Sequence, residues 1–341
     1  MKRIVLHVGL PKTGTTSIQE FLAAQASELA QEGVLFPILR TDLRDAGRAQ
    51  GVGVGWHFAL AKKASGQVGA LTPGEWDAWT AEFARFAADP ALHTLLLSQE
   101  GLIAGGKAAA VAELMAAVPA GAREIVLVLR PALGWLTSLY EQKVRSAVRV
   151  ASGPGDFRPA HHYAQQGFAG TIRTLRKRVP GAQLRLLSFD SLARGDGLLV
   201  NFARAIDLPS RLVALAAEAP RANSGLPQDM VAVLLACNRA GIDQPAFVAI
   251  RGALARAARR RQGRSPRASI FPQALTNAIL ERYETDRAML ARRFDLHLPA
   301  EVSPPPGTML ALDPAAWQRL RAEAAPFLDA AGLAAWDRVS A

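Results

Sequence analysis

The run Gly9-Leu10-Pro11-Lys12-Thr13-Gly14-Thr15-Thr16-Ser17 gathers two glycines, one lysine and four hydroxyl residues into one short stretch. It follows the apolar run Arg3 to Val8 and precedes a helical pattern. Residue types in this order suit an anion. Main-chain N–H groups at a helix start carry partial positive charge, and a glycine lets the chain curl close to a phosphate. Thr15, Thr16 and Ser17 add hydroxyl donors, and Lys12 adds a cation. Gly9 and Gly14 have the spacing of the triphosphate loop Gly-x4-Gly-Lys-Ser/Thr, with Thr16 where the metal-binding hydroxyl would stand. Thr15 holds the lysine position, however, and Lys12 lies two residues before Gly14. That departure argues against an ordinary ATPase or kinase.

Pro11-Lys12-Thr13-Gly14-Thr15-Thr16 at the end of a first strand resembles the 5′-phosphosulfate loop of the sulfotransferases that use 3′-phosphoadenosine 5′-phosphosulfate (PAPS). The overall pattern is closer to the bacterial and glycan-type members than to the animal cytosolic phenol enzymes. The resemblance implies that Lys12 contacts the bridging oxygen and the transferring group, that Thr13, Gly14, Thr15, Thr16 and Ser17 cradle the phosphosulfate, and that no metal is required. The family has a second signature, an arginine ending a strand and a serine eight residues later on the next helix, which together grip the 3′-phosphate. Arg130 and Ser138 stand at that spacing in Leu129-Arg130-Pro131 to Tyr140. A guanidinium leaving the ligand edge of a sheet is well suited to bidentate bonds with phosphate. The likeness spans about residues 1 to 208 and is weak beyond. A late Arg-Lys-Gly-x-x-Gly element is not present in that form. The basic stretch Arg251 to Arg267, with Arg256, Arg259, Arg260, Arg261 and Arg264, is available to replace it, but a solvated helix face or mobile loop is the preferred reading.

Sulfuryl transfer parallels phosphoryl transfer, so catalysis rests on positioning and on charge placed where charge develops. Lys12 is the natural partner of the departing phosphate oxygen. The attacking hydroxyl or amine needs a general base. Glu100, in Ser98-Gln99-Glu100-Gly101 after a strand, is the first choice. It precedes the Arg130 strand by one helix, as the family's catalytic histidine or glutamate does. His57, in a glycine- and aromatic-flanked loop, is the second. His7 reads as a packed core residue, and His161 and His162 as loop residues without acidic or cysteine partners at ligand spacing, so no metal site is expected. Asp190 either caps a helix or lines the cleft. Cys237, the single cysteine, belongs to an apolar helix and reads as inert core.

The elements that must carry these residues alternate strand and helix, the pattern of a parallel sheet with crossover helices. Strands are expected at Arg3–Val8, Val34–Phe36, Thr94–Ser98, Glu124–Leu129 and Gln183–Leu187. Helices are expected from Thr15 to a stop at Gly33, over Glu75–Ala88, over Lys107–Val118, from the first turn at Pro131, and over Ile172–Arg178. From Asn201 onward the pattern is helical, with Pro304-Pro305-Pro306-Gly307 as a linker. The expected fold is therefore α/β: a P-loop-NTPase-like parallel sheet of about five strands flanked by helices, with a helical C-terminal extension. The core would span residues 1–215 and the extension 216–341.

At 341 residues, half hydrophobic and a fifth charged, the chain is of ordinary globular composition. No segment approaches a membrane span, no disulfide or secretion signal is legible, and a cytoplasmic protein is expected. The net charge of +11 suggests an anionic partner. The acceptor is not legible in the sequence: a carbohydrate, a lipid-linked glycan and a small natural product are all open. An NTP-dependent small-molecule kinase with an altered loop, and a non-enzymatic binder of polyanions, remain alternatives. Specific nucleic-acid recognition is not expected, because aromatic residues are not interleaved with the basic ones.

Overall fold

The computed structural model describes residues 2–38, 73–100, 121–146, 149–219, 225–261, 269–301 and 312–340. Five strands form one all-parallel sheet: β1 (Arg3–His7), β2 (Val34–Leu35), β3 (Thr94–Ser98), β4 (Ala122–Leu129) and β5 (Gln183–Ser188). Their order is β2-β3-β1-β4-β5. The α/β architecture read from the alternation of elements is the one observed.

The central strands are buried on both faces, so they read as apolar runs, and period-two alternation decides which face each residue serves. Val5, Leu96, Val126 and Val128 point to one face, against Ile18, Phe21 and Leu22 of α1 (Thr15–Ala24) and Leu29 of α2 (Ala26–Gln31). Ile4, Leu6, Leu95, Leu97, Ile125 and Leu127 point to the other. There they meet α3 (Pro73–Ala88), α4 (Ala132–Arg145) and α5 (Arg158–Arg178), in one cluster that continues into the later helices.

Beyond β5 come α6 (Phe189–Leu192), α7 (Leu198–Ala205) and α8 (Ser210–Glu218), of which α7 and α8 cover the α1 face. On the opposite face lie α9 (Gln228–Arg239), α10 (Gln244–Arg260), α11 (Gln273–Phe294), α12 (Pro314–Ala324) and α13 (Ala330–Ser340). Met230, Phe247, Ile279, Tyr283, Leu320 and Trp336 share the hydrophobic cluster of the sheet, which ties the helical C-terminal region to it.

Several local expectations are corrected. The helix after the loop is two helices, separated at Gln25, whose φ of −102° and ψ of 15° break the repeat. Pro131 stands outside α4 rather than in its first turn, because its ψ of 131° is extended. His161 and His162 lie in α5, not in a loop, and the His161 ring contacts the Gly155 carbonyl oxygen at 2.6 Å. Ser188, not Asp190, caps α6, accepting the Ser191 N–H at 3.3 Å. In the basic stretch, Arg256 and Arg260 are exposed but lie over the Phe327 ring, and Arg261 pairs with Asp229 and Glu323. The helix expected at 107–118 and the linker at 304–307 fall outside the described residues, as do Arg264 and Arg267.

Two features brace the C-terminal region. Gly167, at φ 59° and ψ −166°, interrupts α5. The buried Asp286 carboxylate of α11 accepts from the N–H of Phe168 at 2.6 Å, that of Ala169 at 3.3 Å and the Tyr163 hydroxyl at 2.9 Å. It thereby caps the second half of the broken helix. Tyr283 and Arg287 donate to Pro299 O at 2.8 Å and Leu298 O at 3.0 Å, fixing the segment that follows α11.

Candidate active site

Strand order determines where a ligand can enter. β1 connects toward β2 on one side, whereas β3 connects toward β4 across β1. The carboxyl ends of β1 and of its two neighbours, β3 and β4, therefore lie side by side at the edge where open parallel sheets bind ligands. The loop after β1 and the segment Gln99-Glu100 after β3 lie at that place.

Register explains which side chains meet there. His7 pairs with Ser98 on one side and Val126 on the other. The pairing runs on past the strand ends: Gln99 N–H donates to His7 O at 2.9 Å, Val128 N–H to Gly9 O at 2.6 Å, and Leu10 N–H to Val128 O at 3.0 Å. Gly9 thus lies against Glu100, and Leu10 runs beside the end of β4 from which Arg130 projects. A Cβ on Gly9 would sit 3.2 Å from Glu100 Cβ and 3.1 Å from Pro11 N, at φ +104°. The glycine is needed for both conformation and space.

Within the loop, Thr13 is fully buried and donates its hydroxyl to Leu10 O at 2.5 Å, so it closes the turn. Gly14 precedes α1 with φ 80° and ψ 14°. The buried Thr15 hydroxyl donates to the Glu100 carboxylate. Thr16 is exposed and Ser17 half-buried on the first turn of α1. Lys12 is half-buried. Burial first, then the charges of Arg145 and Arg130, hold its ammonium below the ordinary lysine range, against the opposing effect of Glu100 and Glu141.

Arg130 joins the two sequence signatures. Its Nη1 donates to Lys12 O at 3.3 Å and approaches Ser138 Oγ at 3.5 Å, while its guanidinium lies 5.1 Å from the Phe189 ring centroid. Lys12, Thr13, Gly14, Thr15, Thr16, Ser17, Glu100, Arg130 and Ser138 are thus gathered at one sheet edge. His57 lies outside the described residues.

The structure adds residues that the sequence reading passed over as ligand-edge groups. Trp135 Nε1 donates to Pro11 O at 2.9 Å. Glu301, from the segment after α11, accepts the N–H groups of Leu133 at 2.8 Å and Gly134 at 2.9 Å, at the start of α4. Burial raises its pKa, opposed by those N–H bonds and by Arg130. Arg145, seven residues beyond Ser138, shares its helix face. That spacing was a usable signal; nothing local announces Glu301.

Beneath the loop, His7 is fully buried, with Nδ1 2.8 Å from Ser98 Oγ, and burial pushes its pKa down to about 3. It is a neutral core histidine. Cys237 is likewise buried, its thiol raised to about 12 by burial. At the opposite edge of the sheet a cavity of about 300 Å³ is lined by Arg3, Val34, His93 and Asp207 among others. Arg3 and Asp207 pair with each other at 3.6 Å, so this cavity is a poorer anion site than the loop.

No family model, no curated protein and no solved structure matches this chain. The case for function therefore rests on the residues and their placement. Among the described residues no helix is long and apolar enough to cross a membrane.

Proposed function

We propose that the protein is a PAPS-dependent sulfotransferase that sulfates a hydroxyl or amine of a glycan or small-molecule acceptor. The observation that carries this reading is the contact of Arg130 with both Lys12 O and Ser138, at 3.3 and 3.5 Å. Two stretches of chain more than a hundred residues apart meet at the edge where a doubly phosphorylated nucleotide would span them.

The residues suit the co-substrate in charge and in kind. Arg130 and Ser138 would hold the 3′-phosphate, and the α1 N-terminus with the hydroxyls of Thr16 and Ser17 the 5′ end, the Thr15 hydroxyl being given to Glu100. When bound, PAPS supplies the sulfuryl group, whose bond to the acceptor forms as the bond to the 5′-phosphate oxygen breaks. Lys12 offsets the charge on that oxygen. Glu100 takes the acceptor proton, and Thr15 orients its carboxylate through their hydrogen bond. The acceptor is a carbohydrate, a lipid-linked glycan or a small natural product, and the protein works in the cytoplasm.

Calorimetry with adenosine 3′,5′-bisphosphate in the absence of Mg²⁺ tests the nucleotide site, with binding in the micromolar range expected. A panel of acceptors incubated with PAPS and read by mass spectrometry should show a gain of one sulfuryl group. Absence of uptake of that nucleotide, together with Mg²⁺-dependent ATP binding, would overturn the reading in favour of a kinase.

A further inference from the structure

Lys12 has a φ of 67°, in the left-handed region where a side chain crowds the backbone and which non-glycine residues rarely occupy. Such a conformation persists when its surroundings over-determine it. Two peptide planes meet at the Lys12 Cα, and each is held by a donor near the start of α4. The Trp135 indole donates to Pro11 O at 2.9 Å, fixing the plane before Lys12. Arg130 donates to Lys12 O at 3.3 Å, fixing the plane after it. Between them the two donors set both backbone dihedrals of Lys12, and hence the direction in which its ammonium leaves the chain.

The indole is the better placed of the two. Its bond is the shorter, and Arg130 is also the residue to which the nucleotide reading gives a phosphate. Trp135 is held in turn. Its ring meets Tyr163 edge-on and lies near Phe168, both with centroids 6.0 Å away. The turn that carries it is capped by Glu301 through the N–H groups of Leu133 and Gly134.

We propose that Trp135 is a positioning residue for Lys12, acting through the carbonyl of Pro11. Its kinetic consequence rests on the sulfotransferase reading, but its structural consequence does not.

Trp135→Phe keeps a ring against Tyr163 and Phe168 and removes the N–H. Hydrogen exchange of the amides of Lys12, Thr13 and Gly14 should accelerate by about tenfold, with α4 amides and the melting temperature little changed. In the PAPS assay, kcat should fall by about tenfold while KM for the nucleotide moves by less than about threefold, since a misdirected lysine costs transition-state stabilisation more than binding. In wild-type protein the Trp135 indole N–H should exchange more slowly than that of free tryptophan, a measurement that needs no variant to fold. Unchanged loop exchange in the variant, or an unprotected indole N–H in wild type, would overturn the proposal. Wild-type protein that takes up no nucleotide, while loop exchange still accelerates in the variant, would overturn the sulfotransferase reading and leave the positioning role standing.

Discussion

Thr15 donates its hydroxyl to the carboxylate of Glu100, so the loop after β1 and the acidic residue after β3 form one hydrogen-bonded unit. The bond follows from sheet order, since β1 and β3 are neighbours whose carboxyl ends lie side by side. The carboxylate acts electrostatically on the half-buried Lys12, opposing the lowering of its pKa by burial. On the sulfotransferase reading proposed above, Glu100 is the base and Lys12 the cation of the transfer step.

Glu100→Gln should therefore separate chemistry from binding. The amide can still accept from Thr15 but cannot take a proton. Turnover should drop by about 10² to 10³-fold, with affinity for adenosine 3′,5′-bisphosphate held to within about threefold. Rapid-quench turnover alongside calorimetry makes the comparison, and a variant of near wild-type rate would remove Glu100 from the base role.

Lys12 gives a pH dependence with a definite sign. On the proposed reading Lys12 meets the nucleotide as a cation, and its pKa is lowered, chiefly by burial. Affinity should consequently fall on the alkaline side at a pH below about 10.4, the ordinary lysine value. In Lys12→Ala that alkaline limb should disappear and affinity at neutral pH should be weaker by about tenfold or more. Calorimetric titrations from pH 7 to 10 decide it; a limb that persists in the variant would assign the titration elsewhere.

Gly14→Ala tests the close approach of α7 to the loop. The new Cβ would lie 2.1 Å from Leu198 Cδ2, and φ is +80°. The clash can yield, because it is with the end of a flexible side chain, but the conformation cannot. The variant should lose about 1 to 3 kcal/mol of stability. Adding Leu198→Ala should not restore nucleotide affinity, since the alanine would still strain the turn. Denaturant melts and binding of the single and double variants check this.

Asp286→Ala should be strongly destabilising. It strands the Tyr163 hydroxyl and the N–H groups of Phe168 and Ala169 at the break in α5. A loss of about 3 kcal/mol or more is expected from unfolding curves. A change below about 1 kcal/mol would mean that the cap at Gly167 is dispensable.

His7 makes the fold sensitive to acid. Its folded-state pKa of about 3 lies below the unfolded value of 6.5, so the unfolded chain binds the extra proton between those limits. The neutral ring's contribution is complete above pH 6.5 and is lost as pH falls toward 3, at a rate approaching 1.4 kcal/mol per pH unit. Glu301, whose pKa is raised, works in the opposite sense as its carboxyl protonates. Urea midpoints at pH 7 and 5.5 should differ in wild type and converge in His7→Gln, and equal slopes in the two proteins would refute the assignment.

Local sequence determined the elements and the chemistry of the site. Apolar runs bounded by glycine and proline marked the strands, and these runs need only their own β-branched and leucine side chains to be legible. The glycine–threonine turn and the Arg130–Ser138 spacing were legible because each lies within a short run of consecutive residues. The break at Gln25 and the extended Pro131 were not, since a shift of one dihedral at an element end leaves no trace in periodicity.

Tertiary structure alone decided which groups face one another. Strand order put Glu100 against Gly9 and Arg130 against Lys12, and neither neighbour is implied by the chain between them. Trp135 reads in the sequence as packing and becomes, in the fold, the donor to Pro11 O. Glu301 reaches the start of α4 from 167 positions beyond Gly134, the difference of 301 and 134. A hydrogen bond depends on distance in space, whereas propensity and periodicity act over a few residues. The partners of the site were therefore readable by type, and their mutual geometry only once the sheet had assembled.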